Sequence, residues 1–146
     1  MNIWVNGCFD ILHTGHIDLL WFAKLYNTSD DEILPLRHQN KLYVGLDSDE
    51  RVKQLKGDKR PINDINIRIV MMENLKMVDQ VVVFDSDFAL RNAIKFFEID
   101  YLVVGDHYRD KEVIGGENAK RGVVFYETDG RSTTNIIEKK IGRAHV

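Results

Sequence analysis

Two histidines, His13 and His16, stand three residues apart in the stretch "NGCFDILHTGHIDLL", with Gly15 between them. The short β-branched run Ile3–Val5 comes before them, and helical patterning begins near His16. With His13 just ahead of the helix and His16 in its first turn, both rings face one ligand. Gly15 allows close approach of a backbone, and a helix start offers free N–H groups to an anion. Two imidazoles beside a positive helix end suit a polyphosphate. Zinc is a poorer match, because no third and fourth ligand stands at ordinary metal spacing. A lone loop histidine is ordinarily a solvated one. The pair, placed after Gly7-Cys8-Phe9-Asp10 and before a helix, is what points to a site.

Other residues of this kind follow predicted strands. Asp47 and Asp49 come after the second, Gly105, Asp106 and His107 after the fourth, and Thr128, Gly130, Ser132, Thr133 and Thr134 after the fifth. Ser132–Thr134 open a predicted helix, where hydroxyls and N–H groups can hold phosphates; simple N-capping would use the same residues. Lys53 and Lys56 lead into the basic loop "KGDKRPIND". Cys8 is the only cysteine, so no intrachain disulfide forms, and a reducing, cytoplasmic setting is expected.

Alternating strands and helices must position these groups. Strands are expected at Ile3–Val5, Leu42–Leu46 and Gln80–Phe84, and in "YLVVGD" and "GVVFYE". Helices are expected over about 16–26, Glu50–Leu55, Asn66–Leu75, the "DSDFALRNAIKFFEID" stretch and "STTNIIEKKI". Phe88, Phe96, Phe97 and Met71–Met72 are expected in the core. Residues 27–40 form a loop longer than the usual helix–strand connection. Several strands are continuous apolar runs, as in a parallel sheet covered on both faces. The expected fold is therefore α/β, a Rossmann-like, doubly wound, mainly parallel five-stranded sheet with helices on both faces. Such a sheet binds its ligand beyond the strand carboxyl ends, where the loops above converge.

The 146 residues fit one domain, expected over 1–141 with a flexible tail at 142–146. Hydrophobic residues make up 44% and charged residues 29%, ordinary for a globular protein. The net charge of −3 argues against a general nucleic-acid binder. The N-terminus has neither the charged region nor the apolar length of a signal peptide, and no apolar run approaches the roughly 18–20 residues of a membrane helix.

"GCFDILHTGH" resembles the first motif of the cytidylyltransferase-like nucleotidyltransferases, whose hallmark is His-X-Gly-His. "LKGDKRPINDINIRI" resembles the family's basic loop and arginine helix, and "TDGRSTTNII" its Ser-Thr-Thr motif; the matches, in order, span nearly the whole chain. Within the family, "VNGCFDILHTGH", "LKGDKRPIN", "MVDQVVVF" and "DGRSTTNIIEKKI" are most similar to the adenylyltransferase domain of bacterial ADP-heptose synthases. Glycerol-3-phosphate cytidylyltransferases share the outer motifs. They usually carry Arg where this chain has Glu127, and lack the string at Lys56–Pro61. The long 27–40 loop departs from both.

The resemblance implies transfer of a nucleotidyl group, with ATP more favoured than CTP, to a sugar phosphate such as a heptose 1-phosphate, with loss of pyrophosphate. The alternatives are cytidylyl transfer to glycerol 3-phosphate and a nucleotide-binding module without catalysis. The resemblance assigns His13 and His16 to the phosphates, with Lys56 as the third catalytic candidate. Lys53, Lys56 and Arg68 would bind substrate phosphate. Gly7, Cys8, Phe9, Asp10, Gly15, Gly105, Asp106, Thr128, Gly130, Ser132, Thr133 and Thr134 would line the nucleotide site. Asp10 is equally suited to fixing the loop, and Cys8 reads as a small buried or pocket-lining residue, not a nucleophile. Magnesium is expected with the triphosphate, held by its oxygens and by water. "KMVDQV" (Lys76–Val81) resembles a dimer-interface segment, so a homodimer is expected, with neither nucleic acid nor membrane as partner.

Overall fold

The computed structural model describes residues 1–28 and 40–127. Most of the expected long loop, the residues from Thr128 through the Ser132–Thr134 run, the expected closing helix and the expected tail lie outside the described residues. The described elements run β1 (Asn2–Gly7), α1 (Thr14–Leu25), β2 (Lys41–Asp47), α2 (Asp49–Lys56), α3 (Ile65–Glu73), β3 (Gln80–Phe84), α4 (Asp87–Phe96), β4 (Tyr101–Gly105) and β5 (Gly122–Tyr126). Between β4 and β5 the chain makes two 3-10 turns, Asp106–Tyr108 and Gly116–Asn118.

The strands form one sheet in the order β3-β2-β1-β4-β5, every neighbouring pair parallel. The chain winds outward from β1 through β2 to β3, then returns to β4 on the other side of β1. The point of reversal therefore lies between β1 and β4.

Side chains alternate across the sheet with the period of two that strand geometry imposes. Ile3, Val5, Leu42, Val44, Leu46 and Val103 face one cluster, completed by Leu20 and Ala23 of α1 and Met72 of α3. Trp4, Tyr43 and Leu102 face the other, with Leu90 and Ile94 of α4. Both faces are thus covered, which is why these strands read as continuous apolar runs. Gly45 lies beside Trp4, and a Cβ there would collide with the indole. This close approach explains a glycine in the middle of a buried strand.

Strand β3 matches its expected limits, and the other expected elements within the described residues shift by a few residues at most. Helix α1 begins at Thr14 rather than near His16, because His13 itself is the N-cap. The expectation for α4 and α3 side chains needs correction: Phe88 and Phe96 are 74% and 78% exposed, and Met71 is also exposed. Phe88 stands two residues before Leu90 and Phe96 two after Ile94, which on a helix is the opposite side from the buried stripe. Met72, not Met71, enters the core. At the start of β2, Asn40 donates its side-chain amide to the Ala23 and Tyr26 carbonyls at 3.2 and 2.7 Å, satisfying acceptors at the end of α1. None of the described helices is long and apolar enough to cross a membrane.

Candidate functional site

The sheet is open where its order reverses. Strands β1 and β2 pair as far as Gly7↔Leu46, and β4 and β5 as far as Gly105↔Tyr126. Strands β1 and β4, by contrast, pair at Ile3↔Tyr101 and Trp4↔Leu102. Beyond those pairs their carboxyl halves separate, and a crevice of the kind that receives ligands in open parallel sheets begins there. Gly7, Cys8 and Phe9 continue from one side of it, Gly105 and Asp106 from the other.

The turn after β1 is built tightly. Phe9 adopts a left-handed conformation, with φ of 46°, and its buried ring meets His16 edge-on at 5.3 Å. His13 then caps α1: its Nδ1 accepts the Gly15 N–H at 3.0 Å, and His16 Nδ1 accepts the His13 N–H at 3.2 Å. This is a capping box made of two histidines in place of the usual Ser/Thr and Glu/Gln. The rings stack with centroids 3.8 Å apart.

The box fixes the chemistry of both rings. Each Nδ1 is an acceptor, so in the neutral imidazole the hydrogen resides on Nε2. Burial lowers the His13 pKa. Burial, then the neighbouring His13 and Lys56, brings that of His16 down to about 4. At neutral pH the pair is therefore uncharged and offers two Nε2–H donors. The expectation of free helix N–H groups shifts accordingly: those of His13 and Gly15 serve the box, and that of His16 donates to the His13 carbonyl at 3.1 Å.

Lys56, the last residue of α2, brings the positive charge. Its ammonium acts on both the Cys8 thiol and the His16 imidazole, so the structure joins this residue to the histidine turn. Lys53 is exposed one turn earlier on α2, and no described contact ties it to the histidines. Cys8 is buried and donates to the Asp47 carboxylate, Sγ to Oδ2 at 3.6 Å; burial and that carboxylate raise its pKa. A thiol held protonated is a poor nucleophile.

Asp10 ties the basic loop to this turn. Its carboxylate accepts the Ile62 and Asn63 N–H groups, both at 2.8 Å, and its carbonyl accepts the Asn63 side-chain amide at 2.6 Å. Burial pushes the carboxyl pKa up, but those N–H donors together with Arg60 outweigh it and hold it below the ordinary value. Arg68 is buried beneath the rim. Its Nε donates to the Asn63 carbonyl at 3.0 Å, its Nη1 to the carbonyls of Cys8 and Asp47 at 3.0 and 2.7 Å, and its Nη2 to Asp49 Oδ1 at 2.6 Å. Arg51 similarly joins Asp47 and Asp87, at 2.8 and 2.5 Å.

Sequence reasoning gave no role to Asn63, which accepts from Arg68 and donates to Asp10. Its position after Pro61-Ile62 and before the α3 N-cap, Asp64, was the available signal. Thr128, Gly130, Ser132, Thr133 and Thr134, the second half of the expected phosphate clamp, lie outside the described residues.

A doubly wound parallel sheet with paired histidines at its point of reversal is the frame of a nucleotide-binding domain, and the comparisons place it. The chain belongs to the cytidylyltransferase-like family, whose model matches residues 4–139. It is 44% identical over 137 residues to the bifunctional protein HldE of Campylobacter fetus subsp. fetus (strain 82-40), covering 94% of this chain and 27% of that protein. It is 43% identical over 143 residues to the bifunctional protein HldE of Helicobacter pylori (strain P12), covering 98% of this chain and 28% of that protein. The chain thus spans little more than a quarter of these curated relatives. Among solved structures, the lipopolysaccharide core biosynthesis protein from Thermoplasma volcanium GSS1 shares the fold, with a TM-score of 0.65 at 23% identity over 88% of this chain and 98% of that one.

Proposed function

We propose that this domain transfers an adenylyl group from ATP to a sugar phosphate, a heptose 1-phosphate, with release of pyrophosphate. The observation that carries the reading is the histidine capping box at the sheet's point of reversal, with two Nε2–H donors and the charge of Lys56 acting on His16. In the reaction a phosphate oxygen of the sugar attacks the α-phosphorus, the bond to the bridging oxygen breaks, and pyrophosphate carries that electron pair away. No enzyme nucleophile is required. The protein must align two anions and stabilise the charge that builds on the phosphoryl oxygens.

Neutral imidazoles do this without the repulsion that two adjacent cations would suffer. His16, the more buried donor, makes the main transition-state contact, while His13 and Lys56 hold the triphosphate. Lys53 is the second choice for the acceptor phosphate, and the hydroxyls of Ser132, Thr133 and Thr134 would hold the β- and γ-phosphates. Magnesium neutralises the triphosphate when bound. The carboxylates nearest the turn are engaged, Asp47 with Arg51, Asp49 with Arg68 and Asp10 with loop amides, so the ion would be held by phosphate oxygens and water. The choice of ATP and heptose is supported by the resemblance of Lys56–Pro61 and of the Ser-Thr-Thr region with Glu127 to ADP-heptose synthases, and by the 43–44% identity of the chain to the HldE proteins. We place the protein in the cytoplasm, acting as a homodimer.

A pyrophosphate-release screen tests the reading by pairing ATP and CTP with heptose 1-phosphate, other sugar 1-phosphates and glycerol 3-phosphate. Release with ATP and a heptose 1-phosphate is expected. Release with CTP alone overturns the adenylyl assignment, and tight nucleotide binding without release from any pair makes the domain a binding module.

A further inference from the structure

Arg68 is 1% exposed, the most deeply buried charge among the described residues, although the neighbouring Ile67 is exposed on the same helix. A guanidinium in such a place is tolerable only when its donors are satisfied. Its acceptors come from three separate segments. Cys8 belongs to the turn that leads to the histidines, Asp47 and Asp49 to the junction of β2 and α2, and Asn63 to the loop before α3. The guanidinium is a rigid planar fork with five N–H donors, so a single group fixes the distances among all three segments. Asn63 closes the circuit through Asp10, on the turn itself. A phosphate could reach this group only by displacing carbonyls and a carboxylate that already surround it.

We propose that Arg68 is the positioning residue of the site and not a phosphate ligand. Its guanidinium sets the turn carrying His13 and His16 against the helix that ends in Lys56, so that imidazole and ammonium donors meet the same phosphates. The catalytic part of this inference rests on the nucleotidyl-transfer reading, whereas its geometric part does not.

The test compares Arg68→Lys and Arg68→Met in the full chain. Lysine keeps a charge but presents it at one point and cannot span the three segments. Both variants are expected to lose about 100-fold in kcat, as small misplacements in such sites do. KM for the triphosphate should stay within about threefold, and the imidazole NMR signals of His13 and His16 should shift in the free protein. Near-normal kcat in Arg68→Lys, with KM raised more than about tenfold in Arg68→Met, identifies a phosphate ligand and overturns the proposal. Unmoved histidine signals in a folded variant also overturn it. Should neither variant fold, Asp49→Asn removes the ion pair and leaves the three carbonyl bonds. A loss of about tenfold in kcat with shifted histidine signals is then expected, and normal values of both overturn the proposal. The ring signals are read without substrate. A wild-type chain that transfers no nucleotide therefore defeats the functional reading, while the positioning role is still decided by the rings.

Discussion

At the scale of single residues, the site's chemistry follows from where two ring nitrogens are committed. His13 and His16 each use Nδ1 to cap a helix, so protonation at that atom must break the cap. His16→Ala therefore removes an acceptor for the His13 N–H and, on the proposed function, a hydrogen-bond donor to the phosphates. Loss of a cap destabilises by about 1 kcal/mol. Loss of a charge-stabilising donor slows the reaction by roughly 100-fold or more. Turnover should thus collapse in a variant whose near-UV circular dichroism is native; unchanged turnover would defeat the assignment. The same geometry gives a pH dependence. The folded pKa of His16 is about 4 against an ordinary 6.5, so the unfolded chain binds its proton more readily. Stability from this source is complete above 6.5 and falls as the pH drops from there toward 4. Urea midpoints measured across that window should decline on acidification, and His16→Leu should flatten the decline.

At the scale of elements, the basic loop holds its place through Asp10. Asp10→Ala leaves the Ile62 and Asn63 N–H groups without their acceptor, at a cost of about 1–3 kcal/mol. Hydrogen exchange should accelerate at those two amides and through residues 57–64, with the β1–β2 pairs unaffected; equal acceleration in the sheet would contradict a local latch. Short continuous apolar runs and Gly/Pro punctuation made the strands legible, and β3 has its expected limits. The start of α1 was less legible, because histidine is an unusual N-cap and its role depends on ring orientation. Phe88 and Phe96 were misread because aromatic bulk suggests a core, whereas Leu90 and Ile94, with Ala89, Ala93 and Phe97, already fill that face of α4. Arg68 was the hardest. Three of its four hydrogen bonds go to backbone carbonyls, which no residue type announces. The place of the histidine pair, between β1 and α1, was legible because type, spacing and the preceding strand all agreed.

At the scale of the molecule, the described strands place β3 and β5 at the ends of the sheet order, and exposed apolar residues gather near β3. Ile67, Val70 and Met71 are exposed on the outer side of α3, with Ile62 before the helix and Val83 on β3 itself. This row leads along the chain into Lys76–Val81, the segment expected at a dimer interface. In a twofold dimer the same patch meets itself, so an apolar row can be buried by its own copy. Glutamate at the exposed Val70 and Met71 would place like charges across that axis. The wild-type chain is therefore expected to sediment as a dimer, and the Val70→Glu, Met71→Glu variant as a monomer with unchanged far-UV circular dichroism. A wild-type monomer at all concentrations would remove the dimer from the reading. A variant that remains dimeric would move the interface away from α3. Because the histidine turn and Lys56 belong to one chain, the monomeric variant should retain nucleotide binding, which separates assembly from the site.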